Sequence, residues 1–132
     1  MFSAKKRHFK KRLANIQSAI YDLEFNRAKL KAIKEQMRLQ YDRLQETTSS
    51  AQAGLESENS KEQPDKSVIS NLERVIERYK PDIEYLSKQL EGMDNAIDCA
   101  TLDDKGNPIG INQRIEAART MKEMLVDYIK TL

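Results

Sequence analysis

Residues Ser67 to Ala100 constrain the fold more than any other part of this chain. Apolar side chains fall at Ile69, Leu72, Ile76, Tyr79, Ile83, Leu86, Leu90, Met93, Ile97 and Ala100, three and four apart without a break. A repeat averaging 3.5 residues keeps one stripe of an α-helix against a partner helix over many turns. With Ile69, Ile76, Ile83, Leu90 and Ile97 at position a, and Leu72, Tyr79, Leu86, Met93 and Ala100 at d, the segment reads as a coiled-coil strand.

A second seam precedes it. Its d positions, Phe2, Phe9, Ile16, Leu23, Leu30, Met37 and Leu44, are all apolar, while Lys6, Leu13, Ile20, Arg27, Lys34 and Tyr41 stand at a. Basic residues at a cost stability but fix register, and their aliphatic stems still cover apolar surface. This helix is expected to start at Ser3, an N-cap residue, and to end near Thr48. Ile33, beside Lys34, widens the seam and suggests a third helix packing there.

Residues 49–65 are rich in Ser and Thr, contain Gly54 and Pro64, and read as a polar linker. Helix two covers 66–100. Pro81 removes one hydrogen bond inside it, but the apolar register crosses Pro81 unshifted, which predicts a kinked continuous helix or two helices in line. Residues 101–111, with Gly106, Pro108 and Gly110, form a turn. Helix three covers 112–132, with Asn112 as N-cap and an apolar face of Ile115, Ala118, Met121, Leu125, Tyr128, Ile129 and Leu132. Glu84 with Lys88, and Arg119 with Glu123, have the spacing of intrahelical ion pairs.

Aromatic residues are 6% of the 132-residue chain and Trp is absent, whereas charged residues reach 33%. So few bulky rings suit a narrow helical seam better than a thick core. The expectation is one all-α domain (1–132): an elongated coiled-coil helical hairpin with a third, shorter helix. Helix two folds back on helix one. Helix three, reversing again, lies along residues 81–100 and 14–34 and makes a three-helix bundle at one end. Leu13 to Leu44 and Ile69 to Ile97 form the core, and residues 1–12 overhang it.

Charge is distributed unevenly. Residues 1–12 carry six cations and no anion, and residues 67–100 carry four cations and seven anions. The tip, Lys5, Lys6, Arg7, Lys10, Lys11 and Arg12, has enough positive charge for non-specific contact with phosphate, and no Asn or Gln among them to read bases. The same cations suit an acidic protein surface. Phe2 and Phe9, left uncovered by the overhang, are candidates for a protein interface.

Catalysis finds little footing. His8 is the one histidine and Cys99 the one cysteine. The expected hairpin brings Cys99 near the tip, but no third group is placed to orient such a pair. Asp103 to Asn107 lacks the ligand spacing of a calcium loop, and there is no phosphate-cradling glycine loop and no zinc spacing. No cofactor, metal or small-molecule substrate is expected. No apolar run approaches a transmembrane span, and a lone cysteine suits the cytoplasm or another reducing intracellular compartment. The expected role is a non-enzymatic structural, adaptor or assembly protein. It would pack against partner proteins or copies of itself, with nucleic-acid binding through the basic tip as the alternative.

Overall fold

The computed structural model describes residues 3–132. The protein is all-α: a helical hairpin with a third, shorter helix. The helices are α1 (Ala4–Asn59), α2 (Lys66–Ile97) and α3 (Ile111–Lys130). The described residues form two compact units, residues 33–92 and residues 3–32 with 93–132.

The first of these units is an antiparallel helical hairpin made from the second part of α1 and most of α2. Gly54 lies against Leu72, and farther from the turn Leu44 and Leu86 line one groove. Ile69, Leu72, Ile76, Tyr79, Ile83, Leu86 and Leu90 are all half-buried, as the seam requires. α2 is a single helix with Pro81 inside it. Pro81 sits on the exposed side, so the seam residues keep their spacing.

The expected linker at 49–65 is corrected. α1 continues to Asn59 and the connection shrinks to residues 60–65. The reason is that the heptad does not stop at Leu44. Thr48 and Leu55 are half-buried at a, and Ala51 and Glu58 are buried at d. Packing against α2 overrides the low helix propensity of the Ser, Thr and Gly residues. Glu58 then organises the turn. Its carboxylate accepts the Asp65 amide at 2.9 Å and pairs with Lys61 at 2.7 Å. The Asp65 carboxylate in turn accepts the Ser67 amide at 2.9 Å and opens α2. The hydrogen bond from Lys61, and then that from the Asp65 amide, hold the Glu58 carboxyl below its ordinary range. Ile33 is exposed, so it does not widen the seam as expected.

In the other unit, residues 4–32 of α1 pair with α3, and α2 contributes only 93–97. Arg27 reaches Asn112 at the start of α3, Glu24 reaches Arg119 at 2.7 Å, and Phe9 meets Tyr128 near its end. α3 therefore runs antiparallel to α1, not parallel as expected. The reason lies in the connection from Asp98 to Gly110. It closes on itself through an antiparallel bridge between Leu102 and Pro108. The Ile109 amide donates to the Thr101 carbonyl at 2.9 Å, and the Gly110 amide to the Cys99 carbonyl at 3.2 Å. The Asp103 carboxylate accepts the amides of Lys105 and Asn107 at the tip, and Gly106 takes the left-handed conformation the turn needs (φ 81°). Such an excursion returns the chain to its starting point without turning it around.

Gly110, not Asn112, precedes the first turn of α3 and makes no side-chain cap. Asn112 is engaged with Arg27 instead. The buried line is Ile111, Ile115 and Ile129, with Ile20 on α1 and Ile97 at the end of α2. Met121 and Tyr128, placed on the apolar face by sequence, are 55% and 39% exposed. Arg119 bridges to α1 and not to Glu123.

Candidate interaction surface at the start of α1

The first turn of α1 forms as its sequence demands. The Ser3 hydroxyl accepts the Lys6 amide at 3.1 Å, and the Ser3 carbonyl accepts the Arg7 amide at 3.3 Å. The helix then carries Lys5, Lys6, Arg7, Lys10, Lys11 and Arg12 along about 12 Å of its axis, at about 1.5 Å per residue. All are exposed except Lys6, which is half-buried.

This segment does not overhang. The Phe9 ring is half-buried and meets Tyr128 edge to face, with centroids 5.0 Å apart and planes at 84°. The Lys5 ammonium stands 5.7 Å from the centre of the Tyr128 ring, and the Arg12 guanidinium 5.9 Å from that of Phe9. Cations over ring faces gain from the negative potential there. Phe9, expected to be free for a partner, is thus spent largely inside the chain. Phe2, its companion in that expectation, lies outside the described residues. The meeting of Tyr128 with Phe9 could not be foreseen from sequence, because it depends on the direction of α3.

The six cations remain together on one short cylinder. Among the described residues, Lys5, Arg7, Lys11 and Arg12 enter no salt bridge. Their charge is available to an anionic surface, and the ring contact anchors the helix that displays it.

The conceivable Cys99–His8 pair is not assembled. The Cys99 amide donates to Gln113 Oε1 at the start of α3, while the His8 ring contacts Phe9 beside the end of α3. Twenty helical residues, about 30 Å, lie between those ends. Gln113 also donates to the Asp98 carboxylate, so its amide group ties the end of α2 to the start of α3. Asp103 is occupied by backbone amides of its own turn. Among the described residues no group of three or more His, Cys, Asp or Glu side chains is arranged to hold a metal ion, and no helix is long and apolar enough to cross a membrane.

A second kind of surface was missed by sequence reading. Tyr21, Phe25, Met121 and Met124, on α1 and α3 of the same unit, all point large apolar groups outward. No family model, curated protein or solved structure matches the chain.

Proposed function

We propose that this chain is a non-enzymatic assembly or adaptor protein that joins partner proteins through helix packing. The observation that carries the reading is the outward apolar area on α1 and α3: Tyr21 is 74% exposed, Phe25 58% and Met124 68%. Large apolar groups left outward on helix faces suit burial by another helix. The basic start of α1 would steer acidic partners toward that area, because complementary charge speeds encounter more than it adds affinity. A reducing intracellular compartment suits the single cysteine.

The test is capture on the immobilised full chain, compared with a variant carrying Tyr21→Ser, Phe25→Ser, Met121→Ser and Met124→Ser. Partners held by apolar packing stay bound at about 1 M salt, where screening reduces the Debye length to about 3 Å, and are lost with the variant. Binding that vanishes with salt and ignores the four substitutions refutes the reading.

Nucleic-acid binding is the second reading, favoured by the cluster of Lys5, Arg7, Lys11 and Arg12, which enter no salt bridge among the described residues. It predicts binding to duplex DNA or RNA with a slope of log K on log salt of about −3 to −5, as a handful of neutralised phosphates gives. Reversing the charge of Lys5, Arg7, Lys11 and Arg12 should abolish it. No binding at about 50 mM salt sets this reading aside.

A further inference from the structure

The outward face of α1 between Tyr21 and Ala32 has an internal symmetry. Tyr21, Phe25, Ala28 and Ala32 follow one another at steps of four, three and four, so they form one stripe along the helix. All four are exposed. The stripe lies on the side of α1 turned away from Ile20, Leu23, Arg27 and Leu30, the residues that face inward. α1 thus has two seams, one of them uncovered.

Reversed end for end about a point between Asn26 and Arg27, the stripe complements itself. Tyr21 meets Ala32 of a second copy and Phe25 meets Ala28, so each ring is offered a small residue to sit on. An antiparallel twofold sets each edge of a helix against the same edge of its copy. One edge carries Asp22 and Lys29, and the other carries Glu24 and Lys31. Each edge therefore pairs an anion with a cation, twice over. A parallel in-register arrangement sets ring against ring and alanine against alanine, and so loses the size match. Lys29 is already drawn to the margin of the stripe, its ammonium 4.7 Å from the centre of the Phe25 ring. Asp22, Lys29 and Lys31 are exposed. Glu24 is bridged to Arg119, so its edge abuts α3, and the Asp22–Lys29 edge is the open one.

We propose that the Tyr21–Ala32 face of α1 is the docking surface for a second copy of this chain, laid antiparallel across a dyad between Asn26 and Arg27. Size complementarity along the stripe and charge complementarity along the open Asp22–Lys29 edge select this occupant over an unrelated helix. The proposal names a partner within the assembly reading given above and rests on it. The contact runs for about three turns, which is small for an interface, so a dissociation constant of about 1–100 μM is expected.

Sedimentation equilibrium of the purified full chain, from about 2 to 500 μM, tests it. Wild type should pass from monomer to dimer across that range. Phe25→Glu should weaken the dimer by about 100-fold or more, because the dyad counts the buried charge twice. All these positions are exposed, and circular dichroism checks that each variant stays helical. Asp22→Lys and Lys29→Asp test the register. Each alone places like charges opposite one another and should weaken the dimer by about 3- to 10-fold. An equimolar mixture restores both opposite-charge pairs and should dimerise like wild type. A wild-type chain that stays monomeric throughout, a dimer indifferent to Phe25→Glu, or a mixture no tighter than its components overturns the proposal. None of these outcomes bears on salt-resistant capture of other proteins, so failure of the dimer and failure of the assembly reading are separable.

Discussion

The contact between Phe9 and Tyr128 decides whether the basic segment is a docked helix or a fraying end, and trypsin can measure it. The perturbation is Tyr128→Ala. Phe9 is half-buried, so uncovering it forfeits about 1–1.5 kcal/mol, half the worth of a fully buried Phe. The edge-to-face geometry adds about 0.5–1.5 kcal/mol. Together these give about 1.5–3 kcal/mol of local stability. At about 1.4 kcal/mol per tenfold, opening of this segment should rise about 10- to 150-fold. Cleavage follows the open population when opening and closing are fast relative to the protease. Cuts after Lys10, Lys11 and Arg12 should therefore accelerate by that factor. Lys5 and Lys6, closer to the fraying end, report less. Cleavage after Arg74, in the other unit, is the internal control and should not change. If cuts after Lys10 to Arg12 change by less than about 2-fold while Arg74 stays constant, the ring contact does not hold the basic helix.

Thr48 Oγ1 is buried in the α1–α2 hairpin without a hydrogen-bond partner among the described residues, so Thr48→Val should raise stability by about 1–2 kcal/mol in denaturant titration. At Gly110 a β-carbon would fall on the Cys99 amide nitrogen and Gln113 Oε1, and 2.9 Å from the Cys99 carbonyl oxygen. Gly110→Ala should cost about 2 kcal/mol or more and loosen the start of α3, seen as faster amide exchange at Ile111 to Ile115. Glu58 titrates below its ordinary 4.5, so its hold on the turn is full above that pH and fades as pH falls through the lowered value. Lys61 is raised above 10.5, chiefly by its hydrogen bond with Glu58, so its share is full below that pH and fades as pH rises through the raised value. The Asp65 amide resonance should report a midpoint under 4.5, and a midpoint at or above 4.5 contradicts the bonding at this turn.

Both heptad seams were legible because long periodic segments declare helix and partner face together. Pro81 did not disturb the pattern, since it sits off the seam. The stretch after Thr48 was misread because Ser, Thr and Gly signal a loop by propensity, although Ala51, Leu55 and Glu58 keep the heptad spacing. Only the burial of those positions decides between the two signals. The direction of α3 could not be read at all. It follows from hydrogen bonds that close residues 99–110 into a hairpin, and turn composition alone does not say whether a turn reverses the chain or returns it. With that direction went the partner of Phe9, and hence the difference between an overhang and a docked helix.

The same helix also explains why the outward residues escaped notice. A helix with one buried side separates apolar from polar residues cleanly, as α2 does. α1 has Leu23, Arg27 and Leu30 on one side and Tyr21, Phe25, Ala28 and Ala32 on the other, so its apolar residues surround it. Its inward seam includes Arg27, whose guanidinium donates to Asn112 Oδ1 at 3.2 Å, a hydrogen bond that satisfies one of its donors. An outward stripe with two aromatic rings has no such internal compensation. Its rings stay largely outside the chain's own packing, because α3 meets α1 at Phe9, Arg27 and the Glu24 edge and leaves Tyr21 and Phe25 exposed. Those side chains must be covered from outside or remain in water. On the proposed dyad a second α1 would cover both rings and set Asp22 against Lys29 along the open edge of that stripe.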